Sequence, residues 1–383
     1  MGPTIILDKS AIQSFSESEI GILSKFYTFN IPYNLYYEIL TDLSKKHKDK
    51  NYETHVIHLA NKLPGNFKIN VHYRILIINE LLGIAVPFTY RTLVPGEKII
   101  TNEEGKRGAF IKQSMEESAI ERWRVGDFTK EEIERATVER KKIGEVNIGQ
   151  IIASSGQLLK KHNIKLDENN LIGFIDKTQE NLHSLSPLEI YEQLEILMDL
   201  LKVDSETQFK VKERWYSLKD FNFEKFAPYT SYFQKLMFTF SFGTASRIFG
   251  TRSSNLIDME YILYLPFCFV FCTGDNFQYK IAQMVRSGSQ YILNREELKN
   301  DLKLISEHNK GKENIRDYTL PNNSLTKKII DDYMALDKTI IDDNLDSITL
   351  ESEVSIFSPC PCGSGKKLKD CYYDKIMGNE ESA

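Results

Sequence analysis

Two groups of residues in this sequence have side-chain types and spacing suited to chemistry. One is a cysteine knuckle near the end of the chain, Cys360-Pro361-Cys362-Gly363-Ser364-Gly365-Lys366-Lys367, completed by Cys371. Thiolates two residues apart fit one soft tetrahedral ion. Gly363 and Gly365 free the backbone to turn, so that Cys371 can return to that ion, and zinc is the expected occupant. The other group is a pair of aspartates, each closing an apolar run: Ile5-Ile6-Leu7-Asp8 at the front and Phe271-Cys272-Thr273-Gly274-Asp275 far downstream. If both runs are strands of one parallel sheet, the carboxylates meet at the rim where open α/β sheets bind ligands. Unpaired carboxylates that close repel by several kcal/mol unless a cation stands between them. Hard oxygen donors of this kind suit magnesium or manganese.

The elements around these aspartates bring in two more acids. Glu38 lies on a helix opened by Pro32, with Leu35, Ile39, Leu40 and Leu43 at helical spacing. Asp258 lies on a helical stretch, Ser254 to Leu265, that Pro266 stops just before the apolar run Phe267 to Cys272. The interval from Asp258 to Asp275 covers about two to three helical turns, a reversal and one strand back to the same rim. Taken singly, each acid also has an ordinary reading: Asp8 and Asp275 as helix caps, Glu38 and Asp258 as surface acids. Glu260 and Asp42 are near in sequence and read as surface residues. His55, His58 and His72 read as structural.

With these residues in order, the sequence resembles the PIN-domain nucleases. The matching features are a strand ending in Asp followed by Ser (Asp8, Ser10) and a helix carrying Glu after Ile-Pro (Ile31-Pro32 to Glu38). The third is a helical Asp ahead of a strand ending in Thr-x-Asp (Asp258, then Thr273-Gly274-Asp275). The resemblance implies an α/β chain: a PIN-like three-layer α/β/α domain on a short parallel sheet. It also implies that Asp8, Glu38, Asp258 and Asp275 are the catalytic acids and the ligands of Mg2+ or Mn2+, with Ser10 and Thr273 supporting them. The implied activity is metal-dependent endonucleolytic hydrolysis of phosphodiester bonds, with RNA as the nucleic acid. Arg247 and Arg252, just ahead of Asp258, are the candidate substrate-binding cations.

The tail from Pro359 to Cys371 is similar to the SEC-C motif, which implies a small zinc-binding module for protein or nucleic-acid contact. Its fourth ligand position falls to Tyr372, a poor zinc ligand, which leaves that position open, filled by water or Asp374, or the knuckle without metal. The organisation expected is a PIN-like first part at 1–48, a mostly helical insertion at 49–235, a PIN-like second part at 236–308, a linker and helix at 309–350, and the knuckle at 351–383. Within the insertion, Ser186-Pro187 starts a helix whose apolar stripe runs from Leu188 to Leu201. Arg122, Arg124, Arg135, Arg140, Lys141 and Lys142 surround Trp123 and Phe128, but interleaved acids make that stretch read as a solvated helix face.

The 383 residues carry a formal net charge of −5, so the whole molecule has no general attraction for nucleic acid. Binding must come from local cations or from metal ions. Hydrophobic residues at 41% and charged residues at 27% fit a folded globular chain. The longest apolar stretch, Leu256 to Cys272, holds Asp258 and Glu260 and is too short to span a bilayer. A cytoplasmic protein without membrane contact is expected, and Cys268 and Cys272 read as buried core thiols. The alternative to an enzyme is an inactive nuclease-like adaptor that binds protein or nucleic-acid partners.

Overall fold

The computed structural model describes residues 2–44, 52–65, 67–94, 98–101, 107–110, 113–144, 148–218 and 221–336. The knuckle residues Cys360, Cys362 and Cys371 lie outside the described residues, as does the acidic spacer before them.

Seven strands occur among the described residues: β1 (Thr4–Leu7), β2 (Thr28–Ile31), β3 (Lys68–Ile69), β4 (Lys98–Thr101), β5 (Arg107–Phe110), β6 (Val270–Thr273) and β7 (Tyr291–Asn294). Five of them form one sheet in the order β3-β2-β1-β6-β7, and every pairing in it is parallel. β4 and β5 pair antiparallel with each other. Parallel strands covered on both faces are expected to be continuously apolar. β1 and β6 obey this, with all eight of their residues buried.

The apolar run from Phe267 is divided: Leu265–Phe267 forms a 3-10 turn around Pro266, and the strand begins at Val270. β2 is hard to see in sequence because Asn30 interrupts it. That side chain is nonetheless fully buried, donating its amide to Phe267 O at 2.9 Å. β3 has two residues and no pattern to read, yet it supplies the sheet's edge from within the stretch read as a helical insertion. The antiparallel pair β4–β5 also falls in that stretch.

Helices cover the sheet and build a second body beside it. The longest, Pro228–Ala245, packs against the helices Tyr73–Leu81, Ile148–Lys161, Leu171–His183 and Asn276–Val285. The helix Pro187–Leu201 starts at Ser186 with a full capping box, and its buried face includes Tyr191, Leu194, Leu197, Met198 and Leu201. Leu188, expected on that stripe, is exposed. It stands in the first turn, ahead of the buried Ile190 and Tyr191.

Trp123 is buried and stacks on Tyr36 with ring centroids 5.2 Å apart, so it offers no stacking surface to a ligand. Arg122 pairs with Glu132 at 2.6 Å, and Arg124 donates to the carbonyls of Leu63 and Pro64. These cations hold the body together. The segment 309–323, read as a linker, is folded onto the sheet domain: Lys25 Nζ donates to the carbonyls of Arg316 and Tyr318, and Asn309 bonds both the N–H and the carbonyl of Thr319. Cys268 and Cys272 are buried free thiols, as expected. No described helix is long and apolar enough to cross a membrane.

Glu80 fastens two helices of the helical body to each other. Buried at the end of the helix Tyr73–Leu81, its carboxylate accepts from Tyr229 N (2.8 Å), Thr230 N (2.7 Å) and Thr230 Oγ1 (2.8 Å), capping the Pro228–Ala245 helix from outside. Removing it strands three buried donors. Glu80→Ala is therefore expected to cost about 3 kcal/mol in urea unfolding, and Glu80→Gln less.

Candidate active site

The strand order reverses direction between β1 and β6. The chain steps from β1 through β2 to β3 on one side, then returns to β6 and continues to β7 on the other. Connections leave such a point in opposite directions and open a crevice beyond the carboxyl ends of the two strands. The register sets the depth of each residue in that crevice. Leu7 is opposite Cys272, Asp8 N donates to Cys272 O at 3.1 Å, and Asp8 and Gly274-Asp275 therefore emerge at one rim.

Both aspartates begin helices. Asp8 is the N-cap of Lys9–Ser14: Oδ1 accepts from Ala11 N (2.8 Å) and Oδ2 from Ser10 Oγ (2.7 Å). Asp275 is the N-cap of Asn276–Val285, its Oδ1 accepting from Phe277 N (2.7 Å) and Gln278 N (3.0 Å). Ser10 and Thr273 support them directly. Ser10 Oγ also accepts from Gly274 N (3.1 Å), which ties the two rims together. Thr273 Oγ1 accepts from Asp275 N (2.9 Å) and donates to Gln278 Oε1 (3.0 Å).

The other two acids arrive on helices that meet over this rim. β2 ends at the same edge and leads through Pro32 into the helix Tyr33–Asp42, which carries Glu38. That helix packs on Asn255–Ile262, which carries Asp258, with Asn34 Nδ2 donating to Ile257 O (3.4 Å). Tyr261 then hydrogen-bonds Glu38 Oε2 through its hydroxyl, and Gln278 Nε2 donates to Asp258 Oδ1 at 3.3 Å.

The electrostatics show that the four acids share one field. Burial, then the carboxylates of Glu38 and Asp275, push Asp258 up to about 7; the Gln278 bond opposes this, and Asp8 adds to it. Burial also raises Glu38, against the lowering pull of Lys9 and the Tyr261 bond, with Asp8 and Asp42 adding repulsion. Asp8 is raised by burial, with its hydrogen bonds from Ser10 and Ala11 opposing. Glu260 and Asp42 are not surface residues. Burial drives Glu260 up to about 8 beside the Tyr73 hydroxyl, and Asp42 is fully buried and paired with Lys9 at 2.6 Å and with His55 at 3.4 Å.

Arg247 and Arg252 are exposed on the loop between the Pro228–Ala245 and Asn255–Ile262 helices. Arg247 has a left-handed backbone (φ 63°), which is uncommon for a residue with a Cβ. The loop is held near the acids through Phe249, whose ring meets Phe277 edge-on at 5.3 Å, directly after the Asp275 cap.

Sequence reasoning missed Tyr261, Gln278 and Lys9. Signals for two of them existed. Tyr261 is three residues after Asp258 and so shares its helix face. Asp275-x-x-Gln278 has the spacing of a capping box, which puts Gln278 over the first turn. Lys9 had none beyond adjacency to Asp8.

Among the described residues, no three His, Cys, Asp or Glu side chains are gathered closely enough to hold a metal ion as they stand. Each of the four carboxylates instead has a local hydrogen-bond donor. The donor set still fits a hard divalent ion, because it is all oxygen and its mutual repulsion is what such an ion relieves. Comparison of the chain with protein-family models, with curated proteins and with solved structures returns no match.

The raised Asp258 gives a signed expectation. The folded state binds this proton more tightly than the unfolded chain, so metal-free stability is highest below pH 3.8 for this group and falls as pH rises toward about 7. Asp258→Asn removes that dependence. Chemical unfolding at about pH 8 without divalent ions is expected to show the variant more stable by on the order of 1 kcal/mol.

Proposed function

We propose that this protein is a divalent-metal-dependent endonuclease of PIN-like fold that hydrolyses phosphodiester bonds, with RNA as its substrate. The observation that carries the reading is that Asp8, Glu38, Asp258 and Asp275 come from four separate elements to one electrostatic cluster at the switch point of a parallel sheet. A structural role explains a cap or a pair. It does not explain acids from four elements brought to one crevice, where Glu38, Asp275 and Asp8 all act to raise Asp258.

Mg2+ or Mn2+ bound among these oxygens supplies polarisation of the phosphate and an activated water. The chain's own residues prepare for this. Ser10 and Ala11 fix Asp8, and Thr273 and the turn at Asn276 fix Asp275, so these two carboxylates are rigid. Tyr261 and Gln278 hold Glu38 and Asp258 by single side-chain bonds that an ion can displace. Arg247 and Arg252 supply phosphate contacts at the approach. The zinc knuckle at Cys360, Cys362 and Cys371 serves as an accessory contact for RNA or a protein partner.

A second reading, an inactive nuclease-like adaptor, draws on one observation: each acid already has a local donor, and no three are gathered for an ion. One experiment separates the two. With manganese binding followed by calorimetry, wild-type protein is expected to cleave labelled single-stranded RNA. Asp8→Asn/Asp275→Asn should lose on the order of a hundredfold or more in rate while folding normally. Wild-type protein that binds RNA or manganese but does not cleave would establish the adaptor instead.

A further inference from the structure

Arg295 stands at the acid crevice with its guanidinium turned toward the rim. Thr273 of β6 is in register with Asn294 of β7, so Arg295 emerges beside Gly274. The approach is close. A Cβ on Gly274 would stand 2.7 Å from Arg295 Cδ, 2.9 Å from Arg295 Nη1 and 2.7 Å from Ser10 Oγ. The Arg295 side chain therefore lies against the Gly274 backbone. The Gly274 N–H donates to Ser10 Oγ at 3.1 Å, and Ser10 Oγ in turn donates to Asp8 Oδ2 at 2.7 Å.

The neighbouring donors are already engaged. The N-terminus of the helix Arg295–His308 is satisfied by the Asn294–Glu297 capping box, so its N–H groups are not free for an anion. Lys9 is committed to Asp42 at 2.6 Å. Arg295 Nε pairs with the neighbouring Glu296 at 3.1 Å, both side chains being substantially exposed at 39% and 64%, and a pair in that much solvent holds weakly. Among the described residues, its two terminal nitrogens have no acceptor. A planar two-nitrogen fork matches the non-bridging oxygens of a phosphodiester, which a lysine cannot engage in the same way.

We propose that Arg295 is a substrate-binding residue that grips a backbone phosphate of the nucleic-acid strand lying in the acid crevice. This deepens the nuclease reading and rests on it. The carboxylates alone repel the polymer, and Arg295 supplies a compensating contact within the crevice, whereas Arg247 and Arg252 lie on a separate loop.

The test measures binding separately from cleavage. A labelled oligouridylate is titrated onto full-length Asp8→Asn/Asp275→Asn protein with and without Arg295→Gln, over a series of salt concentrations. The expected result is a roughly tenfold loss of affinity and a salt slope smaller by about 0.7, the value for one lost phosphate contact on a single strand. Arg295→Lys should recover the slope but only part of the affinity, because it keeps the charge and loses the fork. Unchanged affinity and slope in Arg295→Gln, with the parent still binding, would overturn the role of Arg295 and leave the nuclease reading standing. A parent that binds no oligouridylate, together with wild-type protein that does not cleave, would overturn both.

Discussion

The pairing of β1 with β6 is the constraint on which the site depends. These strands are far apart in sequence, yet they lie side by side with Ile5, Ile6 and Leu7 opposite Val270, Phe271 and Cys272. A one-residue slip would turn every side chain of one strand to the other face and draw the Asp8 carboxylate into the buried place of Leu7. Burial on both faces forbids that slip. The same apolar contacts that stabilise the sheet therefore fix how far Asp8 and Asp275 project beyond it. The bond from Asp8 N to Cys272 O is the last rung of this ladder, and the two aspartates stand at its end.

The large helical body has a positional role within that constraint. Glu38 does not reach the crevice through the sheet alone. Its helix is clamped between the Asn255–Ile262 helix on one side and the helices Tyr52–Lys62 and Lys130–Gly144 on the other. Trp123, stacked on Tyr36, packs against the same helix from the insertion. Glu80 and Arg214 then tie the rest of the helical body to this framework, with Arg214 donating to the carbonyls of Glu80, Leu81 and Phe226. The insertion is thus coupled to Glu38 through packed aromatic rings and buried hydrogen bonds, both of which resist small displacements.

The strands that carry the acids were legible because their chemistry is local: β1 and β6 are apolar runs ending at an aspartate, and capping residues mark the helices after them. Glu38 and Asp258 were legible through helical spacing on either side of Pro32 and Pro266. What escaped was set by distant contacts. β2 conceals its strand character behind Asn30, whose partner Phe267 is far away in sequence, and β3 is too short to carry a period. Asp42 and Glu260 look like surface acids on their helices, yet Asp42 is fully buried and Glu260 partly so, by elements the sequence does not announce. Trp123 lay among six cations and still went to the core, because Tyr36 was waiting there to stack on it.

The two aspartates and the two remaining acids differ in how they are held, and the difference has chemical meaning. Asp8 and Asp275 are bound by backbone N–H groups of the helices they cap, contacts that persist as long as those helices do. Such bonds occupy one oxygen of each carboxylate and leave lone pairs on the other. Glu38 and Asp258 are held by side chains, Tyr261 and Gln278, that can rotate away. A rigid pair and an adjustable pair around one crevice let the fold tolerate four acids, and on the nuclease proposal the adjustable pair is free to turn toward a cation. The local hydrogen bonds that keep the acids apart are therefore what makes the cluster compatible with a stable fold.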